Sequence, residues 1–190
     1  GPTTPSDWHN DPAFLVRSSD QRILTVLCDH DAPTIYARIS TNPEDISAWG
    51  ASTNIDSSLG GGDYTYPYLT QLSGEGGKIY LFYRDFQGGT TGVLCYSTST
   101  DGGATWAAQT ELYKNAGKYA YWSIVSNGVD RIDIAVTDGT YSGDHASVYH
   151  FYMTGGSLYK SDGTLTSAGL PLAPANLTKR PFSPSSLPPS

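Results

Sequence analysis

The chain has 190 residues, a formal net charge of −7, 15% charged residues and 12% aromatics, the profile of an ordinary globular domain. Twenty-one Gly, twelve Pro and fourteen Tyr, with few runs of good helix formers, favour strands and turns and exclude helical bundles and coiled coils. The acidic balance without a Lys/Arg cluster argues against a nucleic-acid partner, and no apolar run approaches the ~18 residues of a membrane-spanning helix.

Met153 is the single methionine, so the chain is expected to begin downstream of an initiator, and residues 1–6 read as a linker or tag remnant without signal-peptide features. Strands are then expected at 12–18, 22–28 and 34–41, followed by a turn that ends at Trp49. The same order returns at 67–73, 78–84 and 92–98, with a turn ending at Trp106. The offset is 55 residues from Pro12 to Pro67 and 57 from Trp49 to Trp106. A third copy follows at 121–126, 131–136 and 147–153, with 157–160 as a fourth strand.

Repeats of this length, each of three or four short strands, are the blades of a β-propeller, and the repeat disfavours a plain β-sandwich. The fold class is therefore all-β, with about three antiparallel blades across residues 7–168. Closed propellers have about 4–8 blades, so three make part of a larger ring. Open blade edges imply self-association. Residues 169–190 read as a Pro/Ser-rich tail, since 181–190 holds four Pro and four Ser without apolar periodicity. Cys28 and Cys95 each sit inside an apolar strand and are expected as buried free thiols. The glycine-rich stretch 74–77 leads into a strand, not a helix, and reads as a hairpin loop rather than a phosphate cradle.

The turn Ser99-Thr-Asp101-Gly-Gly103-Ala-Thr105-Trp106 fits S-x-D-x-G-x-T-W, the Asp-box of neuraminidase repeats. Asp101 is suited to accept turn N–H groups, Gly103 to take positive φ and Trp106 to pack under the hairpin. The stretch from Ser40 to Trp49 is a longer, degenerate version. Both are structural staples rather than catalytic groups.

Candidate chemistry lies where blades begin. His9 precedes the first strand and His30 follows the second, 21 residues later, so antiparallel pairing brings both to one sheet edge. One blade on, Tyr66 or Tyr68 precedes a strand and Arg84 ends the next, while Tyr121 opens the third copy. Superimposed, these positions gather a base, a proton donor and a cation for an acidic group. His145 and His150, with Asp144, are the weak candidates for a metal ion.

The segment His9-Asn-Asp-Pro-Ala-Phe, the run Arg38-Ile-Ser-Thr-Asn-Pro-Glu-Asp45, the Tyr66-Pro67 pair, Lys78-Ile-Tyr-Leu-Phe-Tyr-Arg84 and the Asp-box together resemble the BNR-repeat family that includes the ulvan lyases. The resemblance covers roughly residues 7–165. It implies a seven-bladed propeller, secreted or extracellular, that cleaves a sulfated, uronate-containing polysaccharide by β-elimination with no required cofactor. Carried onto this sequence, the site residues are His9, His30, Tyr66 or Tyr68, Arg84 and Tyr121. A non-catalytic glycan-binding propeller is the first alternative. A sialidase-like hydrolase is the second, disfavoured because of the Arg only Arg84, with Arg38 as a further candidate, is expected near the mouth, where several converging Arg would be needed.

Overall fold

The computed structural model describes residues 11–86, 90–137, 147–166 and 169–181. Strands β1 (Ala13–Val16), β2 (Arg22–Cys28), β3 (Ile35–Pro43) and β4 (Thr53–Asn54) form the first antiparallel sheet, and a single turn of helix, α1 (Asp56–Leu59), leads out of it. Strands β5 (Tyr64–Leu72), β6 (Lys78–Phe86), β7 (Gly92–Ser99) and β8 (Thr110–Tyr113) form the second. The third holds β9 (Tyr121–Ser126), β10 (Arg131–Thr137), β11 (Ser147–Thr154), β12 (Ser157–Lys160) and β13 (Thr178–Pro181). These are three consecutive blades of a partial propeller.

Side-chain alternation explains the stacking. The middle blade is buried on both faces: Ile79, Leu81 and Tyr83 of β6 enter one core with Leu24, Val26 and Ile35 of the first blade. Tyr80 and Phe82 enter a second core with Ile132, Ile134 and Phe151 of the third. Strand β6 accordingly reads as a continuous apolar run, whereas β2 and β10 alternate and bury one face each. On the other face of the first blade Phe14 is 69% exposed.

The turn 99–106 joins two blades. Asp101 accepts from the amides of Ala104 and Thr105 and the hydroxyls of Ser99 and Thr105. Gly103 has φ +91°, and a Cβ there would stand 2.8 Å from a methyl of Leu24 in the first blade, so glycine serves both conformation and close approach. Trp106 is buried in the first core. Arg17, from the β1–β2 turn, donates Nη1 to the Gly102 carbonyl at 2.7 Å while its other edge holds Asp20. Trp49, half-buried, ends the corresponding turn of the first blade: Gly50 N–H donates to the Ile39 carbonyl just as Ala107 N–H donates to the Thr98 carbonyl. Cys28 and Cys95 are free and buried.

Composition puts the start of the tail at 169, and here the structure differs. Leu172 donates to Leu112 and accepts from Lys114, and both Leu172 and Leu177 are buried in the second core. Strand β13 then pairs with the first half of β11, from Ser147↔Pro181 to His150↔Thr178, beside β12 on the second half. Two leucines and a ladder of backbone bonds hold a segment whose prolines suggest no structure.

Candidate functional site

Because neighbouring strands run antiparallel, β2 and β6 end at the same rim where β5 and β9 begin. The loop after Cys28 crosses to the second blade there. Tyr64 N–H donates to the Ala32 carbonyl at 2.9 Å, Asp31 N–H donates to Thr65 Oγ1 at 2.7 Å, and that hydroxyl donates to Asp31 Oδ1 at 3.1 Å. Asp31 takes a left-handed φ of 48°, which Asp tolerates, and the three bonds fix His30 between blades.

Strand β5 is bulged between Thr65 and Tyr68, and Tyr66 has φ 56°. A bulky residue in that region carries strain of order 1–3 kcal/mol, and bulges re-aim side chains. The consequence is visible in the ring positions. Tyr66 stands over Arg84, with Cζ 4.8 Å from its centroid, and its ring lies 6.4 Å from His30, 6.3 Å from Tyr121 and 6.0 Å from Trp122. Tyr68, two residues on, packs its ring 6.5 Å from Phe82 against the second core instead. Burial pushes both phenols above their ordinary pKa, and for Tyr66 the neighbouring Arg84 works against that rise.

Arg84 is the buried centre, 2% exposed. Its Nη2 lies 3.3 Å from His30 Nε2 and donates to Asp31 Oδ1 at 3.2 Å, while Asp31 Oδ2 is 3.4 Å from the same imidazole nitrogen. The guanidinium lies under three half-buried rings, Tyr66, Tyr119 and Tyr121, the latter two at 5.5 Å. Its Nε and Nη1 are buried and meet no hydrogen-bond partner among the described residues. Such donors are costly to leave unpaired, and an incoming carboxylate would satisfy them. Space for the stem comes from Gly92, where a Cβ would stand 2.7 Å from Arg84 Cδ.

Four of the sequence candidates, His30, Tyr66, Arg84 and Tyr121, thus share one mouth, and Tyr68 faces the core below it. His9 lies outside the described residues, as do His145 and Asp144. Among the described residues no group of three or more His, Cys, Asp or Glu is placed to hold a metal ion. Sequence reasoning passed over three contributors: Asp31 as the counter-ion of Arg84, Tyr119 as a third ring on it, and Gly92 as its seat. Only Tyr119, two residues before Tyr121 on the same approach, left a readable signal.

Fold and cluster together define the class: a partial propeller of four-stranded blades whose mouth carries a cation, an imidazole and clustered phenols. A family model for BNR repeat-containing proteins matches residues 2–186, and the chain belongs to that family. Among solved structures, an ulvan lyase from a new family of polysaccharide lyases, bound to -[GlcA(1-4)Rha3S]-, superposes with a TM-score of 0.71 at 18% identity, over 93% of this chain and 45% of that one. The catalytic domain of a Coprinopsis cinerea α-L-arabinofuranosidase superposes with a TM-score of 0.54 at 17% identity, covering 81% and 49%. The NanB sialidase of Streptococcus pneumoniae, as a K499G mutant, reaches 0.50 at 16% identity, covering 80% and 22%. At these identities the likeness is one of fold. The chain spans less than half the length of each of these structures. No protein of curated function matches it in sequence.

Proposed function

We propose that this chain carries the cleavage site of a polysaccharide lyase that opens uronate-containing, ulvan-type polymers by β-elimination, acting outside the cell where such polymers occur. The observation that carries the reading is Arg84, a buried guanidinium whose Nε and Nη1 meet no partner among the described residues, set among an imidazole and three phenols. Arg84 neutralises the uronate carboxylate and so acidifies the C5 proton, because charge builds on that group in the enolate-like transition state. A neutral histidine takes the proton; His30 stands at the mouth, and His9 is the second candidate. The C5–H electron pair becomes the C4=C5 double bond, the C4–O4 bond breaks, and the Tyr66 phenol protonates the departing oxygen. The raised pKa of Tyr66 keeps that proton in place at neutral pH, and the guanidinium beneath steadies the phenolate that forms.

A glycan-binding propeller without chemistry is the second reading, favoured by the ion pair that Arg84 already makes with Asp31. The two separate in one assay: the protein is incubated with ulvan and with other polyuronates, and the ultraviolet absorbance of the unsaturated uronate end is followed. Lyase activity gives rising absorbance, abolished by Arg84→Gln. Saccharide binding with no new absorbance sinks the lyase and leaves the binder.

A further inference from the structure

At the opposite end of β2 from His30, between the first and second blades, lies a cavity of about 320 Å³ walled by Arg17, Arg22 and Arg38. Its remaining wall is small or apolar, including Ala37, Ile39 and Ala51, and among the described residues no acidic one lines it. Three guanidinium groups converge here in a chain whose net charge is −7. Arg17 is already compensated, with Asp20 on one edge and the Gly102 carbonyl on the other. The other two are not. Among the described residues the Arg22 side chain donates only through Nε, to the Ser40 carbonyl at 2.6 Å, and Arg38 donates Nε and Nη2 to the Gly50 carbonyl at 3.2 and 3.1 Å. Among the described residues neither forms an ion pair, so both Nη groups of Arg22 and Nη1 of Arg38 keep unused donors.

The carbonyl clamps have a physical consequence: they fix the two guanidinium groups before any ligand arrives, so little side-chain entropy is left to lose on binding. Planar forks held in this way suit an oxyanion with several acceptor oxygens. Both walls belong to blades this chain contains. At ~3.3 Å per residue, the seven residues of β2 separate the cavity from His30 by roughly 20 Å, too far to serve the same sugar ring.

We propose that this cavity is a second subsite that anchors a sulfate ester or carboxylate on a distant unit of the same acidic polysaccharide, an assignment that rests on the polysaccharide reading of the mouth. Holding the polymer at two places raises its effective concentration at the cleavage site without entering the chemistry.

Amide chemical shifts of the unmutated, isotope-labelled protein test it. The titrants are a sulfated uronate oligosaccharide from ulvan, its desulfated counterpart and sodium sulfate. Saturable shifts are expected at Gly50, Ala51, Thr53 and Ala104, weakening as salt rises. The Arg22→Gln/Arg38→Gln double variant should lower the affinity read at those amides at least about tenfold and leave the shifts at Asp31 and Thr65 unchanged, with Arg84→Gln doing the reverse. A response that survives desulfation assigns a carboxylate, and one that requires the sulfate assigns the ester. Shifts confined to the mouth overturn the second subsite and leave the lyase reading standing. Shifts confined to the cavity support the subsite and count against the mouth. A cavity that binds sodium sulfate as tightly as the oligosaccharide overturns the polysaccharide as its occupant, and silence at both places overturns both.

Discussion

Replacing Gly92 by Ala tests whether the reaction depends on where Arg84 is held. The added Cβ would stand 2.7 Å from Arg84 Cδ, 3.3 Å from its Cγ and 3.2 Å from Cδ1 of Tyr119. Carbon atoms pack at about 3.5–4.0 Å, so the shortfall at Cδ is roughly 1 Å. The strand cannot retreat, because Gly92 donates to the Lys118 carbonyl at 3.0 Å and accepts from Ala120 N–H at 2.9 Å. The arginine stem must move under its three tyrosine rings. Overpacking of this kind costs about 1–3 kcal/mol, and a displacement of about 1 Å at a reacting group costs about a hundredfold in rate. Release of unsaturated uronate should therefore fall about a hundredfold, while Tm drops by roughly 2–10 °C. Gly128→Ala is the control: it strains a φ of +70° in open space, costs about 1–2 kcal/mol and should lower Tm without touching the rate. A Gly92→Ala protein that loses stability yet works at the wild-type rate would refute the placement argument.

Tyr66→Phe keeps the ring over Arg84 and removes only the hydroxyl, so the rate should fall about 10²–10⁴-fold with Tm nearly unchanged, whereas Tyr68→Phe should leave the rate intact; equal losses would disprove the division of roles. Burial pushes the Asp101 carboxyl up, but hydrogen bonds from Thr105, Ser99 and Ala104 outweigh it and hold the group at about 2. A carboxyl depressed on folding stabilises the protein fully above the ordinary carboxylate range, and the contribution is lost as pH falls from about 4 toward 2. The Tm difference between wild type and Asp101→Asn should thus be constant near neutral pH and vanish toward pH ~2; a difference that ignores pH would contradict the assignment. Burial pushes the Cys28 thiol up to about 12, with Asp29 and Asp31 adding to the rise, and raises Cys95 as well. Neither should react with a thiol reagent at neutral pH until denaturant is added, and rapid labelling of the folded protein would argue against the packed blade interfaces.

The blades were legible because their determinants are local. Alternation in Arg22–Cys28 and Arg131–Thr137, the unbroken apolar run within Lys78–Phe86 and the side-chain chemistry of the 99–106 turn act over a few residues, and the three strands, starting 56 and then 53 residues apart, mark blades rather than isolated hairpins. The same periodicity placed His30, Arg84 and Tyr121 at one rim, since antiparallel order alone decides which strand ends meet.

What only the tertiary structure decided depends on contacts between segments far apart in the chain. In a regular strand Tyr66 and Tyr68 share a face; the bulge and the left-handed φ of Tyr66 send one ring over Arg84 and leave the other against Phe82. Asp31 meets Arg84 across 53 residues because the loop after Cys28 is tied to Thr65 of the next blade. Gly92 carries no turn or phosphate signature; it matters because Arg84 and Tyr119 crowd the space a side chain would fill. Residues 171–181 look like tail by composition, yet they add a strand to β11, since backbone hydrogen bonding and two buried leucines depend on the partner surface and not on the prolines between them.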